Sequence, residues 1–221
     1  MKPVLILRPE PGASATAARA ESLGLEPIVA PLFEVEPVAW EAPPAALFDA
    51  MLLTSANAVR HGGPQLTHYL SLPVQAVGET TGKAAREAGF AVQTVGSGDV
   101  HDLLRQLPGS LRLLHLAGEQ RRDPANAGVT IKAIPVYRTI AVQSPSLPLV
   151  VPVVALVHSP RAGERLTEVA CDRSMVTIVA ISDAAAAACG MGWQSVHVAD
   201  RPSDDALLSL AARLCKGGSQ S

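Results

Sequence analysis

The stretch AVGETTGKAAREAG, from Ala76 to Gly89, has the composition of an anion-binding turn. Its apolar start predicts the end of a strand, and Gly78 predicts a tight turn. The alanine-rich remainder predicts a helix whose N-cap is Thr80 or Thr81. The first N–H groups of such a helix have no partner within it, and the helix dipole makes that end positive. The turn therefore suits an anion at the C-terminal edge of a parallel sheet, although the same pattern also serves only to anchor a helix.

Polar side chains follow several other predicted strands in the same way. Because ligands of open α/β sheets bind beyond the carboxyl ends of the strands, we expect these turns to form the binding site. The candidate binding residues are Arg8, Thr54, Ser55, Asn57, Gly78, Thr80, Thr81, Ser159, Pro160, Ser182, Asp183 and Ala184. A lining of hydroxyls and helix N-termini suits a polyanionic ligand. The alternative for each serine or threonine is a helix cap with no role in binding.

Tyr137, one of two tyrosines in the chain, is the candidate catalytic residue. It ends a predicted strand, and a phenol at that point can donate a proton or a hydrogen bond. On position alone, an amphipathic tyrosine at a strand end is the commoner explanation.

The sequence argues against several other chemistries. The segment GETTGKA is one residue short of a phosphate-binding loop and lacks a hydroxyl residue after Lys83, and the chain contains neither GxGxxG nor GxSxG. The three cysteines form no CxxC pair and the six histidines are scattered, so we expect no metal site. His115 and His197 fall within predicted strands, where a structural histidine is commoner than a metal ligand.

Composition limits the partners of this 221-residue chain. A formal net charge of −2 and few aromatic residues argue against nucleic acid. No apolar run approaches the roughly 20 residues that cross a membrane, and the opening MKPVLILRPEPG predicts a first strand rather than a signal peptide. We therefore expect a cytoplasmic protein. We also expect a monomer, because no apolar stripe or heptad repeat indicates an interface.

Apolar runs of strand length alternate with alanine-rich stretches, which predicts an α/β fold with parallel sheets. The predicted strands are Val4–Leu7, Pro27–Leu32, Ala50–Leu53, Val74–Val77, Val92–Val95, Leu111–Leu116, Ile131–Tyr137, Val153–Val157, Val176–Ile181 and Ser195–Val198. The first predicted helix, Ala13–Leu23, is expected to have Ser14 as its cap, and Asp99 and Asp204 are expected to stabilise the dipoles of later helices.

A shift of 104 positions relates separated segments of the chain. It places LLTSANAVR on LVHSPRAGE, and Pro31–Phe33 on Pro135–Tyr137. We interpret this repeat as a duplication that gave two similar domains.

The strand count and the repeat predict how the two domains divide the chain. The central part has five predicted strands, whereas two precede it and three follow it. We therefore expect a discontinuous domain, residues 1–36 plus 142–221, and an inserted domain, residues 38–138. Linkers are expected at 36–42 and 139–148, where the proline-rich segments VEPVAWEAPPA and VQSPSLPLVVP lie. Each domain is predicted to be a flavodoxin-like parallel sheet, with a ligand cleft between the two.

The chain resembles the uroporphyrinogen III synthase family over almost its whole length. The segments that carry the resemblance are LILRPEPG, IVAPLFEVEP, LLTSANAVR, AVGETTGKAAREAGF, LHLAGEQRRD, PVYRT, LVHSPRAGERL, AISDAAAAA and VADRPSDDALL, in that order. Each is a soft pattern, and their order and spacing together are specific. The family has two α/β domains joined by a pair of strands.

The resemblance implies a reaction without a metal or organic cofactor. Such enzymes close hydroxymethylbilane, a linear tetrapyrrole with eight carboxylates, to uroporphyrinogen III with loss of water and inversion of ring D. The family's tyrosine in the same VY motif corresponds to Tyr137, and its threonine after the VG turn to Thr81. Its TS turn corresponds to Thr54 and Ser55, and its second-domain serine to Ser159.

The chain departs from the family pattern at two positions. Ala185 and His158 stand where the family often has threonine. The alternative to the enzyme is therefore a non-catalytic two-domain module that binds an anionic, tetrapyrrole-like ligand. A flavodoxin-like redox protein is a third possibility, and it would be yellow when purified.

Overall fold

The computed structural model describes residues 2–96, 99–121, 128–148 and 151–216. The chain divides into two compact units. One, the discontinuous unit, comprises Met1–Glu34 and Ile140–Ser221, and the other, the inserted unit, comprises Val35–Thr139. Within the described ranges, no helix is both long and apolar enough to span a membrane.

Strands and helices alternate along the chain. The strands are β1 (Val4–Ile6), β2 (Pro27–Val29), β3 (Phe33–Pro37), β4 (Ala50–Leu53), β5 (Val74–Val77), β6 (Val92–Gly96), β7 (Arg112–Gly118), β8 (Thr130–Ala141), β9 (Val153–Val157), β10 (Val176–Ala180) and β11 (Ser195–Val198). The α-helices are α1 (Gly12–Ser22), α2 (Ala56–His61), α3 (Glu79–Glu87), α4 (Val100–Arg105), α5 (Pro160–Val169), α6 (Asp183–Ala188) and α7 (Asp204–Lys216). Short 3-10 helices cover Ala45–Leu47 and Pro64–Tyr69.

The discontinuous unit is a three-layer sandwich around one parallel sheet. Its strand order is β11-β10-β9-β1-β2, and every described pairing in it is parallel. The central strands β1, β9 and β10 are apolar throughout except for Thr177, because both faces of the sheet are buried. Helices α5 and α6 pack on one face and α1 and α7 on the other.

The inserted unit has a second sheet, in the order β3-β8-β7-β4-β5-β6. The pairings among β4 to β8 are parallel. One face carries a core in which Met51 and Leu53 pack with residues of α2 and α3, and the other a core in which Leu52 packs with residues of α4. The predicted α/β fold with parallel sheets is confirmed.

The two sheets share one strand order. Numbering β4 to β8 from one to five gives the order 3-2-1-4-5, and numbering β9, β10, β11, β1 and β2 in the same way gives the same order. Counted instead from the start of the chain, the discontinuous unit has the order 2-1-3-4-5 of flavodoxin. The helices after β4 and β9 begin at caps Ser55 and Ser159, and those after β5 and β10 at Gly78 and Ser182. Both pairs are 104 positions apart, as the repeat requires.

Three local predictions were wrong. Strand β3 lies at the edge of the second sheet, partly within the segment interpreted as a linker, so that this sheet has one more strand than expected. Ser14 lies inside α1, because Glu10 supplies the carboxylate that accepts its backbone N–H at 3.0 Å. Neither Thr80 nor Thr81 caps α3, because Gly78, at a φ of 79°, makes the turn into the helix and occupies the N-cap itself.

Candidate functional site

The turn after β4 presents three candidate residues at the carboxyl edge of the inserted unit. Ser55 is the N-cap of α2, and its side-chain oxygen accepts the backbone N–H of Asn57 at 3.2 Å. Thr54, Ser55 and Asn57 are all half-buried. A serine oxygen that accepts a backbone N–H still holds its own hydrogen, so Ser55 can cap the helix and donate to a ligand at once. The capping explanation and the binding explanation are therefore compatible here.

Thr54 is joined to a buried histidine on the neighbouring strand. Its hydroxyl oxygen lies 3.1 Å from Nε2 of His115, a residue of β7 that is 2% exposed. Sequence reasoning assigned His115 a structural role and did not connect it with Thr54. The strand pairing explains the contact. Leu52 lies opposite His115, and Thr54 is two residues after Leu52, on the same face of the sheet.

The turn after β5 separates the two threonines that were predicted together. Thr80 is exposed in the first turn of α3, whereas Thr81 is buried, with 5% exposure. Glu79 also lies in this first turn, where it pairs with Arg86 at 2.7 Å. A carboxylate at the helix N-terminus competes with an anionic ligand for the same positive end.

Tyr137 lies half-buried in β8 opposite the last residue of β7. Gly118 is that opposite residue, and a Cβ there would lie 2.9 Å from Cζ of the phenol and 3.1 Å from its oxygen. The absence of a side chain at Gly118 thus gives the ring its place. The backbone carbonyl of Tyr137 accepts the N–H of Glu119 at 2.8 Å, which ties the two strands together beside the ring.

His61 is a neighbour of Tyr137 that sequence reasoning missed. The imidazole and phenol centroids are 6.4 Å apart. Burial, together with the charge of Arg60, lowers the pKa of His61, which favours the neutral imidazole at neutral pH. No local pattern marks His61 in the sequence, because the contact joins the end of α2 to β8.

Serine residues also cap helices at the carboxyl edge of the discontinuous unit, as Ser55 does in the inserted unit. Ser159 accepts the N–H of Ala162 at 3.2 Å, and Ser182 accepts the N–H of Ala185 at 3.3 Å. Each serine keeps a hydrogen to donate. Three further candidates of these turns are exposed at the starts of α5 and α6: Pro160, Asp183 and Ala184.

Arg8 follows β1 and is held by contacts that the sequence did not predict. Its guanidinium reaches the hydroxyl of Thr16 at 3.3 Å and a carboxylate oxygen of Asp204 at 3.5 Å. It also lies across Gly12, where an added Cβ would be 2.6 Å from its Nε. Arg8 is therefore held in place beside α1 while remaining about a third exposed.

Asp204 lies in the first turn of α7, where it was expected to stabilise the helix dipole, and it also pairs with several basic side chains. Nε2 of His158 lies 2.7 Å from its carboxylate, and Arg19 also pairs with it. Burial alone would raise the pKa of Asp204, but the hydrogen bond and charge of His158, the charge of Arg19 and the hydroxyl of Thr16 together lower it to about 2. The carboxylate therefore stays charged and offsets part of the positive charge around Arg8.

Each unit thus brings its own candidates to the carboxyl edge of its sheet, where the turns offer hydroxyl donors and little net charge. Among the residues that the structure describes, no group of three or more histidine, cysteine, aspartate or glutamate side chains is arranged to hold a metal ion.

A family model described as uroporphyrinogen-III synthase HemD matches residues 14–209. The chain belongs to the uroporphyrinogen-III synthase family. The match runs through both units and includes every candidate site residue except Arg8.

Relatives of known name agree with the family. A uroporphyrinogen-III synthase of Chlorobaculum parvum is 31% identical over 102 residues, and this alignment spans 42% of this chain and 42% of that relative. The crystal structure of a uroporphyrinogen-III synthetase from Helicobacter pylori covers 97% of this chain and 100% of its own, with a TM-score of 0.68 and 19% identity. A mutant uroporphyrinogen III synthase of Thermus thermophilus covers 97% and 99%, with a TM-score of 0.51 and 22% identity. At these sequence identities the two structures support the fold alone, and the assignment to the family rests on the family model.

Proposed function

We propose that this protein is a uroporphyrinogen III synthase, a hydro-lyase that converts hydroxymethylbilane to uroporphyrinogen III. The observation that carries the proposal is the family match, which spans nearly the whole chain and both α/β units. The reaction breaks the terminal C–OH bond of the linear tetrapyrrole, releases water and closes the macrocycle with ring D inverted. No electrons are exchanged with an external group, so the chemistry needs proton transfer and control of geometry.

The candidate binding residues suit a substrate with eight carboxylates. Serine and threonine hydroxyls donate to carboxylate oxygens, and Arg8 adds a partly compensated positive charge. Under the proposal, the inserted unit contributes Thr54, Ser55, Asn57, Gly78 and Thr80. The discontinuous unit contributes Arg8, Ser159, Pro160, Ser182, Asp183 and Ala184. Thr81 is the weakest candidate, because its side chain is buried at 5% exposure.

Tyr137 is the proposed proton donor to the departing hydroxyl. The protonated hydroxyl leaves as water and an azafulvene cation remains. The substituted carbon of ring D attacks this cation and forms a spirocyclic intermediate, which then reopens and recloses. A phenol can supply the proton for the first step. Two contacts support a defined ring position: the packing against Gly118 and the neighbouring imidazole of His61.

Selectivity is the proposed contribution of the protein. Spontaneous closure of the linear substrate gives the type I isomer, in which ring D is not inverted. Holding the substrate so that the inverted closure is faster is an effect of orientation, which is worth several orders of magnitude in well-positioned systems.

The experiment is a coupled assay that separates the two isomers. Hydroxymethylbilane is generated enzymatically, the protein is added, and the oxidised products are resolved by chromatography against a protein-free control. A rise in the type III share supports the proposal. Type I alone, from a folded protein that still binds the linear tetrapyrrole, would identify the non-catalytic binding module instead.

A further inference from the structure

Thr54 and His115 form a pair that joins the edge of the inserted sheet to its interior. Thr54 follows β4 and is half-buried, whereas His115 is in the neighbouring strand β7 and is 2% exposed. Their Oγ1 and Nε2 atoms are 3.1 Å apart, which is a hydrogen-bond distance. Because His115 is packed within the sheet, its ring is held in place, and the bond fixes the threonine hydroxyl from the inside.

We propose that His115 is a positioning residue, which carries a proton on Nε2 and donates it to Thr54 so that the hydroxyl hydrogen of Thr54 points to the ligand. The ligand group at this position is a hydrogen-bond acceptor, a carboxylate of the substrate. The identity of that substrate, and with it the reason for the direction of the hydrogen bond, rests on the proposed function, whereas the measurement of that direction in the free protein does not.

The numbers of hydrogens and lone pairs on the two groups decide the direction of this bond. A threonine hydroxyl has one hydrogen and two lone pairs, and an imidazole nitrogen either donates or accepts. If Nε2 accepted, the single hydrogen of Thr54 would point inward, and the hydroxyl would present only lone pairs to the ligand. A carboxylate is an acceptor as well, so this arrangement would be repulsive. If Nε2 donates, the oxygen of Thr54 accepts from inside and its hydrogen is available outside.

Three substitutions distinguish the positioning role of His115 from a role in packing alone. The amide nitrogen of a glutamine side chain reaches about as far as the imidazole Nε2 and is a donor, so His115→Gln can keep the bond to Thr54 in the proposed direction. His115→Leu fills much of the space without a donor. Thr54→Val removes the hydroxyl through which His115 is proposed to act.

The first test is nitrogen NMR of the histidine rings in the free protein. Uniformly ¹⁵N-labelled protein is compared with His115→Gln to assign the resonances of His115. We expect Nε2 of His115 to be protonated, and we expect its shift to change in Thr54→Val. An unprotonated Nε2 would overturn the proposal whatever the protein catalyses.

The second test is a double-mutant cycle in the coupled assay. We expect His115→Leu to raise KM about 10-fold, the effect of losing one hydrogen bond to a charged group, with kcat within about 2-fold of the wild type. His115→Gln should recover most of this loss. In the Thr54→Val background His115→Leu should add nothing, because the group through which it acts is already absent.

The outcomes of the cycle are separable from those of the proposed function. An equal loss from His115→Leu with and without the Thr54 hydroxyl would show that His115 acts on packing alone, and would overturn the positioning role. A wild-type protein that makes no type III isomer would contradict the proposed function, while the NMR result on the Thr54 bond would still decide the direction of donation.

Discussion

The phenol of Tyr137 lies against the backbone of Gly118, the residue opposite it in the adjacent strand. A Cβ at Gly118 would be 2.9 Å from Cζ and 3.0 Å from Cε2 of the ring. The two strands pair in parallel along β7, and a register shift between Ala117 and Gly118 sets Gly118 opposite Tyr137. The ring position is thus set by a missing side chain.

Gly118→Ala should therefore displace the Tyr137 ring without unfolding the protein. The tyrosine ring has to move rather than the backbone, so we expect a stability loss of about 1 kcal/mol, at the lower end of the range for overpacking. If Tyr137 is the acid, a shift of about 1 Å should lower kcat by roughly 10- to 100-fold. The matched control is Gly109→Ala, because an added Cβ there has its nearest neighbour at 4.0 Å. Equal kcat values for the two variants would show that the ring position does not matter.

Tyr137→Phe should slow turnover more than it weakens binding, because a proton donor acts mainly in the transition state. We expect kcat to fall by about 100-fold or more and KM to change by less than about 3-fold. Tyr69→Phe is the control: its buried hydroxyl donates to the carbonyl of Pro43 at 2.7 Å, so its loss should cost about 1 kcal/mol of stability and leave kcat unchanged. A raised KM with an unchanged kcat would exclude the acid role of Tyr137.

Ala185→Thr, which introduces the residue that the family resemblance implies at this position, should destabilise this chain. Ala185 is fully buried in the core between α5 and α6, and its carbonyl would be 2.9 Å from a Cβ at Gly163. Two extra heavy atoms in so close a contact cost about 1–3 kcal/mol. Ala187→Thr, at an exposed position of the same helix, carries the same loss of helix propensity without the crowding. Urea unfolding of both variants measures the difference, and equal stabilities would show that the core has room for the larger side chain.

Most of the fold was predictable because the central strands are buried on both faces. The strands Ala50–Leu53, Val74–Val77 and Val153–Val157 were predicted with the bounds that the structure has. Strand β3, with the sequence FEVEP, escaped detection because it lies at the sheet edge. Phe33 and Val35 alternate with two glutamates, but this strand period covers only four residues and runs into the proline-rich segment that was interpreted as a linker.

In the candidate site, contacts between residues close in sequence were predictable and contacts between distant residues were not. The caps Ser55, Ser159 and Ser182 follow from short patterns, since the cap and the N–H it accepts are two or three residues apart. The bonds from Thr54 to His115 and from His158 to Asp204 join residues 61 and 46 positions apart. Such contacts depend on how the strands are ordered in the sheet, which the residue pattern alone did not specify.

The three cysteines should differ sharply in reactivity. Burial raises the pKa of Cys189 to about 11, so its reactive thiolate is scarce at neutral pH, and Cys215 is 2% exposed. Cys171 is exposed. With a thiol reagent such as dithionitrobenzoate at pH 8, we expect one thiol to react quickly in the native protein and all three after denaturation. Rapid reaction of two thiols in the native state would contradict the burial of Cys189 and Cys215.

Asp204 should make the protein sensitive to acid. Its pKa in the folded protein is about 2, below the ordinary value of 3.8, so the folded state favours the charged carboxylate. The stability that this provides is fully present above pH 3.8 and is lost as the pH falls through 3.8 towards 2. Since one pKa unit corresponds to roughly 1.4 kcal/mol, the fall from 3.8 to about 2 corresponds to at most about 2.5 kcal/mol.

Urea unfolding of the wild type and Asp204→Asn at pH 7, 5 and 3 measures this contribution. The asparagine cannot be charged, so the difference in unfolding free energy should be smaller at pH 3 than at pH 5. Asp205→Asn, at the exposed neighbouring position of the same helix turn, controls for the general effect of acid on the other carboxylates. If the difference for Asp204→Asn persisted unchanged at pH 3, the charge of Asp204 would not be the source of its stabilising effect. The hydrogen bonds of the side chain to Thr16 and His158 would then account for the difference. Asparagine alters these bonds as well, because it replaces one carboxylate oxygen with an NH2 donor.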